Sequence, residues 1–222
     1  DAQKEKLLNT SGSLQAGTSL KITSGGLNND SGTILALTDN TITSTGDISN
    51  KAGKIASNAH TTITSQNLSN QAGTIQSGSG SALDLVINGA LDNSQAGQLL
   101  SGAGLNLKVN TLDNSQQGQI NAQDALNIIS TGLINNQAGS LVANQNVNLG
   151  SKGLNNNQGQ IGSIQGGLAI DAGDQALTNQ SGILQAKTDL TAKALSVDNT
   201  AGHFGAQGKI DLTSQQTINN TQ

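Results

Sequence analysis

Residues 91–120 read LDNSQAGQLLSGAGLNLKVNTLDNSQQGQI. Leu91-Asp92-Asn93 returns as Leu112-Asp113-Asn114, Gly97 as Gly118 and Leu99 as Ile120. Between the copies, Leu105 and Leu107 alternate with polar residues, which is the period of a strand. Working outward, the same Gly, followed two residues later by an apolar side chain, recurs as Gly12, Gly32, Gly53, Gly73, Gly97, Gly118, Gly139, Gly159, Gly182 and Gly202. The spacings are 20, 21, 20, 24, 21, 21, 20, 23 and 20 residues. A period near 21 fits one turn of a β-solenoid. Leucine-rich repeats share this length but need a fixed L-x-x-L-x-L-x-x-N frame, which is not kept. Helical repeats are longer and need helix formers, which the Asn, Gly, Ser and Thr content opposes.

Each unit carries three apolar clusters. The first is Leu14, Ile34, Ile55, Ile75, Leu99, Ile120, Leu141, Ile161, Leu184 and Phe204. The second is usually an alternating pair, such as Leu20 and Ile22, Leu126 and Ile128, or Ile210 and Leu212. The third is Leu27, Ile48, Leu68, Leu91, Leu112, Leu133, Leu154, Leu177, Val197 and Ile218. The expectation is an all-β right-handed parallel β-helix of about ten coils, 20–24 residues each, with three short strands per coil. Stacked coils would align the clusters into aliphatic columns. Three or four buried side chains per coil, at ~1.5–3 kcal/mol each, give gross stabilisation of tens of kcal/mol, most of it cancelled by chain entropy.

The polar residues have stacking reasons too. Asn9, Asn29, Asn50, Asn70, Asn136, Asn156, Asn179 and Asn199 stand three before a repeat Gly, and Asn93 and Asn114 four before. An Asn column can bond side chain to side chain up the stack, and Asn tolerates left-handed turn geometry. The Gly column is expected to supply positive φ at a corner. No Pro is present, which fits a ladder that uses nearly every N–H. Ten coils at ~4.8 Å predict a rod of roughly 50 Å.

Composition narrows the function. Apolar residues make up 33% of the 222, charged residues 11%, and Phe204 is the only aromatic. Net charge −4, no Arg and scattered Lys argue against a nucleic-acid partner. No apolar run has the length of a signal peptide or membrane span. Residues 1–6, with Lys4, Glu5 and Lys6, read as a frayed start or the end of a preceding coil, and 7–222 as one continuous array. Neither end carries a recognisable polar cap. The expectation is a segment of a longer filament, with neighbouring coils of the same chain at both ends.

The pattern of residues 91–120, together with Leu133–Leu149 and Leu154–Ile170, resembles filamentous haemagglutinin repeats, and the resemblance runs over residues 7–222. Such repeats occur in large bacterial exoproteins of two-partner secretion systems, including haemagglutinin adhesins and contact-dependent growth inhibition effectors. The resemblance implies export through an outer-membrane transporter, display at the cell surface, and a receptor on a target bacterial or host cell met by this or a neighbouring domain. It also offers a reason for the absence of Cys, since disulfides would obstruct a chain exported unfolded.

Chemistry is sparse. His60 and His203 would lie about seven turns apart, roughly 33 Å, so they cannot share a metal, and no cofactor is expected. Polysaccharide-cleaving β-helices cluster acids on one face. Here Asp92 and Asp113 fall in one column, with Asp198 in the same Asp-Asn pair later. That is either a carboxylate pair or cation site, or corner chemistry in which Asp bonds its own backbone; the second is preferred, and no enzyme is expected. Thr41/Thr43 and Thr62/Thr64 start a Thr-x-Thr ladder that fails at Asn106/Lys108, Asn127/Ile129 and Asn148/Gly150. The two long units place extra residues around Gln76, Ser77, Gly78, Ser79, Gly80 and Ser81, and around Ala172, Gly173, Asp174 and Gln175. Solenoids tolerate such insertions as loops, which are also where a contact surface would be sought. The reading reached is a structural shaft, with a receptor- or glycan-binding module as the alternative and a polysaccharide-cleaving enzyme behind it.

Overall fold

The computed structural model describes residues 2–222. Among them there is no helix, and every strand pairing is parallel. A ten-stranded sheet runs from Ser13–Ala16 to His203–Ala206 and contributes one strand per coil, so the solenoid has ten coils. This sheet is the first face. The second and third faces are joined into one eighteen-stranded sheet. The reason is visible in Leu20–Asn28, Leu83–Asp92 and Leu105–Asp113, each of which runs through the bend between the two faces as a single strand. The other seven coils break there and have three strands.

Register is set by the inward side chains. Ile34, Ile55, Ile75, Leu99, Ile120, Leu141, Ile161 and Leu184 stack on the first face, each fully buried. A slip of one residue would turn this whole set to solvent, which is why the ladder stays in step over so many coils. On the third face the column is Leu27, Ile48, Leu68, Leu91, Leu112, Ile134, Leu154, Leu177 and Val197. Leu133, expected in that column, is a correction: it points outward and is 46% exposed, while Ile134 is buried and pairs with Leu112. The column residue always stands two before the Asn of its corner, and Ile134 has that spacing to Asn136.

The second face is less uniform. Its leading inward position is Leu83, Leu105, Leu126, Val147, Leu168 and Leu190 along most of the rod, but Asn40 and Thr61 near the start, both fully buried. Its trailing position is Ser24, Ser44 and Ser65, then Ile87 and Val109, then small residues again. The hydroxyls of Ser24, Ser44 and Ser65 and the Oδ1 of Asn40 have no hydrogen-bond partner among the described residues. Asp1 lies outside the described residues. From Ala2 onward the segment 1–6 belongs to strand Ala2–Leu8, which pairs with Leu20–Asn28 at Leu7↔Leu27 and shifts register between Ala2 and Lys6.

The stack is therefore most apolar at Leu83–Asp113 and most polar inside at residues 20–65. Unpartnered buried polar groups cost about 1–3 kcal/mol each. Hydrogen exchange followed by mass spectrometry should find the amides of residues 83–113 the slowest. Those of 20–65 should exchange faster than those of 168–197, which lie a similar distance from the opposite end. Equal protection at the two ends would contradict this account of the core.

Candidate functional site

The most regular feature of the rod is the corner between the third and first faces. In each coil the Gly N–H closes a tight turn onto a carbonyl three residues back, as in Gly32 N to Asn29 O at 2.9 Å and Gly139 N to Asn136 O at 3.0 Å. The residue before the Gly takes the left-handed conformation: Ser11, Ser31, Ala52, Ala72, Ala138, Gln158, Ser181 and Ala201 all have φ between 51° and 59°. The repeat glycines themselves do not have positive φ, so the expectation that they supply it is corrected. Their requirement is steric. From Gly32 to Gly202, a Cβ on the repeat Gly would come closer than 3.0 Å to the backbone oxygen of the Asn one coil earlier and to the Oδ1 of its own Asn. The column is glycine because the preceding coil leaves no room.

The asparagine carboxamides fill this corner. Asn9, Asn29, Asn50, Asn70, Asn93, Asn114, Asn136, Asn156, Asn179 and Asn199 each donate Nδ2 to the Oδ1 of the next Asn, at 2.6–2.8 Å, and the run closes on Asn220. In all of these but Asn199, Nδ2 also reaches two backbone carbonyls: for Asn114 these are Gly118 O and Ser140 O, both at 3.1 Å. Donors and acceptors of the buried amide are thus spent within the corner. Where the corner is one residue longer, at Asn93 and Asn114, two successive residues take left-handed φ (Gln95 and Ala96; Gln116 and Gln117) and the side-chain ladder is kept.

The acids are engaged locally. Asp92 and Asp113 are register partners. Asp92 Oδ1 accepts from Ser94 N at 3.0 Å and Ser94 Oγ at 2.6 Å, and Asp113 Oδ1 from Ser115 N at 3.0 Å and Asn135 Nδ2 at 3.1 Å. Asp198 is held below the usual carboxylate range by the Thr200 hydroxyl first, then by Gln180. This is the turn chemistry weighed from the sequence. Among the described residues, no group of three or more His, Cys, Asp or Glu could hold a metal. His60 lies beside Asp84, Nε2 to Oδ2 at 2.6 Å, and His203 lies on the first face.

A second, exposed ladder runs up the outside of the second face and was not anticipated. Asn148 donates to Asn127 at 2.8 Å, Asn127 to Asn106 at 3.0 Å, and Asn106 to Asp84 at 2.7 Å. Its donors point down the stack, opposite to the buried ladder, and it ends on a carboxylate that can only accept. The signal was in the sequence, since these are the positions where the Thr-x-Thr ladder stops.

The two loops are smaller than expected. Ser77 and Gly78 are buried, and Ser77 Oγ donates to Ser81 O at 2.8 Å, so Ser79 and Gly80 form the exposed tip. Gly80 and Gly173, with φ of 68° and 62°, turn the two loops. Ala172 is a correction: it is fully buried, and exposure begins at Asp174.

Two outcomes follow for the corner. Gly139→Ala should cost about 1–3 kcal/mol by overpacking, whereas Gly17→Ala, with nothing within 4 Å of the new Cβ, should change the melting temperature little. Asn114→Asp sets an acceptor-only carboxylate against Gly118 O, Ser140 O and Asn136 Oδ1, and should cost roughly 3–5 kcal/mol when ionised. Burial raises the folded-state pKa of such a group. The loss should therefore be small below about pH 4, the unfolded value, and grow as pH rises toward the folded pKa. A pH-independent loss in thermal melts would refute the ladder's role.

The haemagglutinin repeat family profile matches five overlapping segments, residues 4–52, 49–95, 81–138, 130–173 and 163–222. No curated protein and no solved structure gives a significant match. The matched segments run through all ten coils and the Asn–Gly corner of each, and the chain belongs to the haemagglutinin repeat family.

Proposed function

We propose that this chain is part of the shaft of a secreted bacterial filament that stands at the cell surface and carries adhesive or toxic domains toward other cells. The observation that carries the reading is the uninterrupted buried Asn ladder. A stack with one repeating corner over ten coils extends reach by simple repetition, and mechanical continuity is what a shaft needs. The haemagglutinin repeat is a structural adhesin repeat and not an enzyme family. In this reading residues 7–222 are one continuous array within a longer filament, the outer-membrane transporter of a two-partner system is the export partner, and receptor contact belongs to other domains.

A second reading is kept because of one observation. The exposed ladder from Asp84 to Asn148 and the tips at Ser79–Gly80 and Asp174–Gln175 put polar groups on the surface. On that reading the segment itself recognises a receptor or glycan.

The test is binding of the labelled, folded chain to bacterial and epithelial cells, with small-angle scattering as the fold control. The shaft reading expects a rod of roughly 50 Å and no saturable binding. Saturable binding, lost when the two loops are shortened or Asn127 is replaced by leucine, would replace it with the recognition module.

A further inference from the structure

The first face differs from the rest of the surface in two ways. It is the one sheet without a register shift, ten strands stacked in step from Ser13–Ala16 to His203–Ala206. It is also nearly uncharged. Among the described residues no acid lies in its ten strands, and the basic groups there are Lys54 and His203. The outward positions are otherwise amides, hydroxyls and aliphatics, including Leu35, Leu100, Val142 and Ile183.

We infer that this face is a lateral self-association surface, and that its partner is a second copy of the same chain laid side by side along the rod. Charge selects the occupant. Two chains of net charge −4 repel in most orientations, and the first face is where they can approach without opposing carboxylates. An anionic ligand would find only Lys54 and His203 there, far apart along the stack. Area is consistent with a weak interface. A face about four residues wide and ten strands tall offers roughly 600 Å² per rod from the strand dimensions, about the lower limit of a specific interface when both sides are counted. Symmetry then selects direction. A two-fold axis is the usual way for identical chains to pair. With the rods antiparallel, Lys54 of the third coil meets the eighth coil of the partner copy rather than Lys54 again. With them parallel, like charges coincide. The geometry therefore points to an antiparallel pair. The inference goes beyond the shaft reading and does not depend on it, since a single rod can serve as a shaft.

The test uses the whole chain in small-angle scattering and light scattering over a concentration series. The expected result is a concentration-dependent dimer whose cross-section grows while its length stays that of one rod. Leu100→Lys with Val142→Lys, both outward on the first face, should return the chain to monomer. Ile129→Lys, at an aliphatic on the second face that is 57% exposed, should leave the dimer intact. Circular dichroism and melting of the three chains separate lost association from lost folding. A monomer at every concentration up to about millimolar would overturn the inference. So would association that lengthens the rod, or equal disruption by Ile129→Lys.

Discussion

The buried asparagine amide at each corner is the contact on which the rod depends. A β-coil of about 21 residues cannot bury its own apolar face; it becomes stable only when the next coil sits at the right height and in the right register. Backbone ladders fix the height on the flat faces and continue through the corner, as in Asn29 N to Ser49 O at 2.7 Å and Ser31 N to Lys51 O at 2.8 Å. The carboxamide adds a side-chain rung inside the turn, where an apolar residue would leave carbonyls unpaired. One proton links it to the next Asn at 2.6–2.8 Å, and the other is shared between two carbonyls. Each bond is worth only about 0.5–1.5 kcal/mol net, yet leaving one such amide unpaired in the buried corner would cost more than the bond contributes.

The glycine beside it follows from the same contact. Once the amide and the preceding coil's carbonyl meet at the corner, no Cβ fits at the repeat Gly. The left-handed strain falls instead on the residue before it, which is Ser, Ala or Gln. That strain is tolerated at ten corners because the turn is locked on both sides by neighbouring coils. Length variation is confined accordingly. The extra residues between Gly73 and Gly97 are divided among the Gln76–Leu83 loop, the register shift between Ile87 and Ala90, and the corner at Gln95–Ala96, so no inward column is interrupted.

A scaffold of this kind has consequences for its surface. Every outward position becomes a column repeating at about 4.8 Å, so a charge repeated in one column repels itself and a polar amide bonds itself. Asp84 stands at the accepting end of the exposed Asn ladder, and Asp113 at that of a shorter half-buried one in which Asn155 donates to Asn135 and Asn135 to Asp113; an acceptor-only group is suited to both places. The charges that remain are dispersed among the second face, the third face and the corners, leaving the first face nearly neutral.

Much of this was legible from spacing alone. The Gly ruler assigned the ten coils, the first-face column, most of the third-face column and the Asn column, because each depends only on a period that the chain writes ten times. What spacing could not decide was anything set by the coil above or below. Leu133 and Ile134 are both apolar, and only the pairing with Leu112 selects Ile134. Ala172 looks like a loop residue until Lys193 of the next coil takes its amide hydrogen bond and holds it in the core. The repeat glycines were expected to turn the chain, and instead make room for it. The period of a solenoid is a one-dimensional property and can be read from one dimension. Close approach, inward orientation and the direction of a hydrogen-bond ladder belong to pairs of coils, and only the stacked structure decides them.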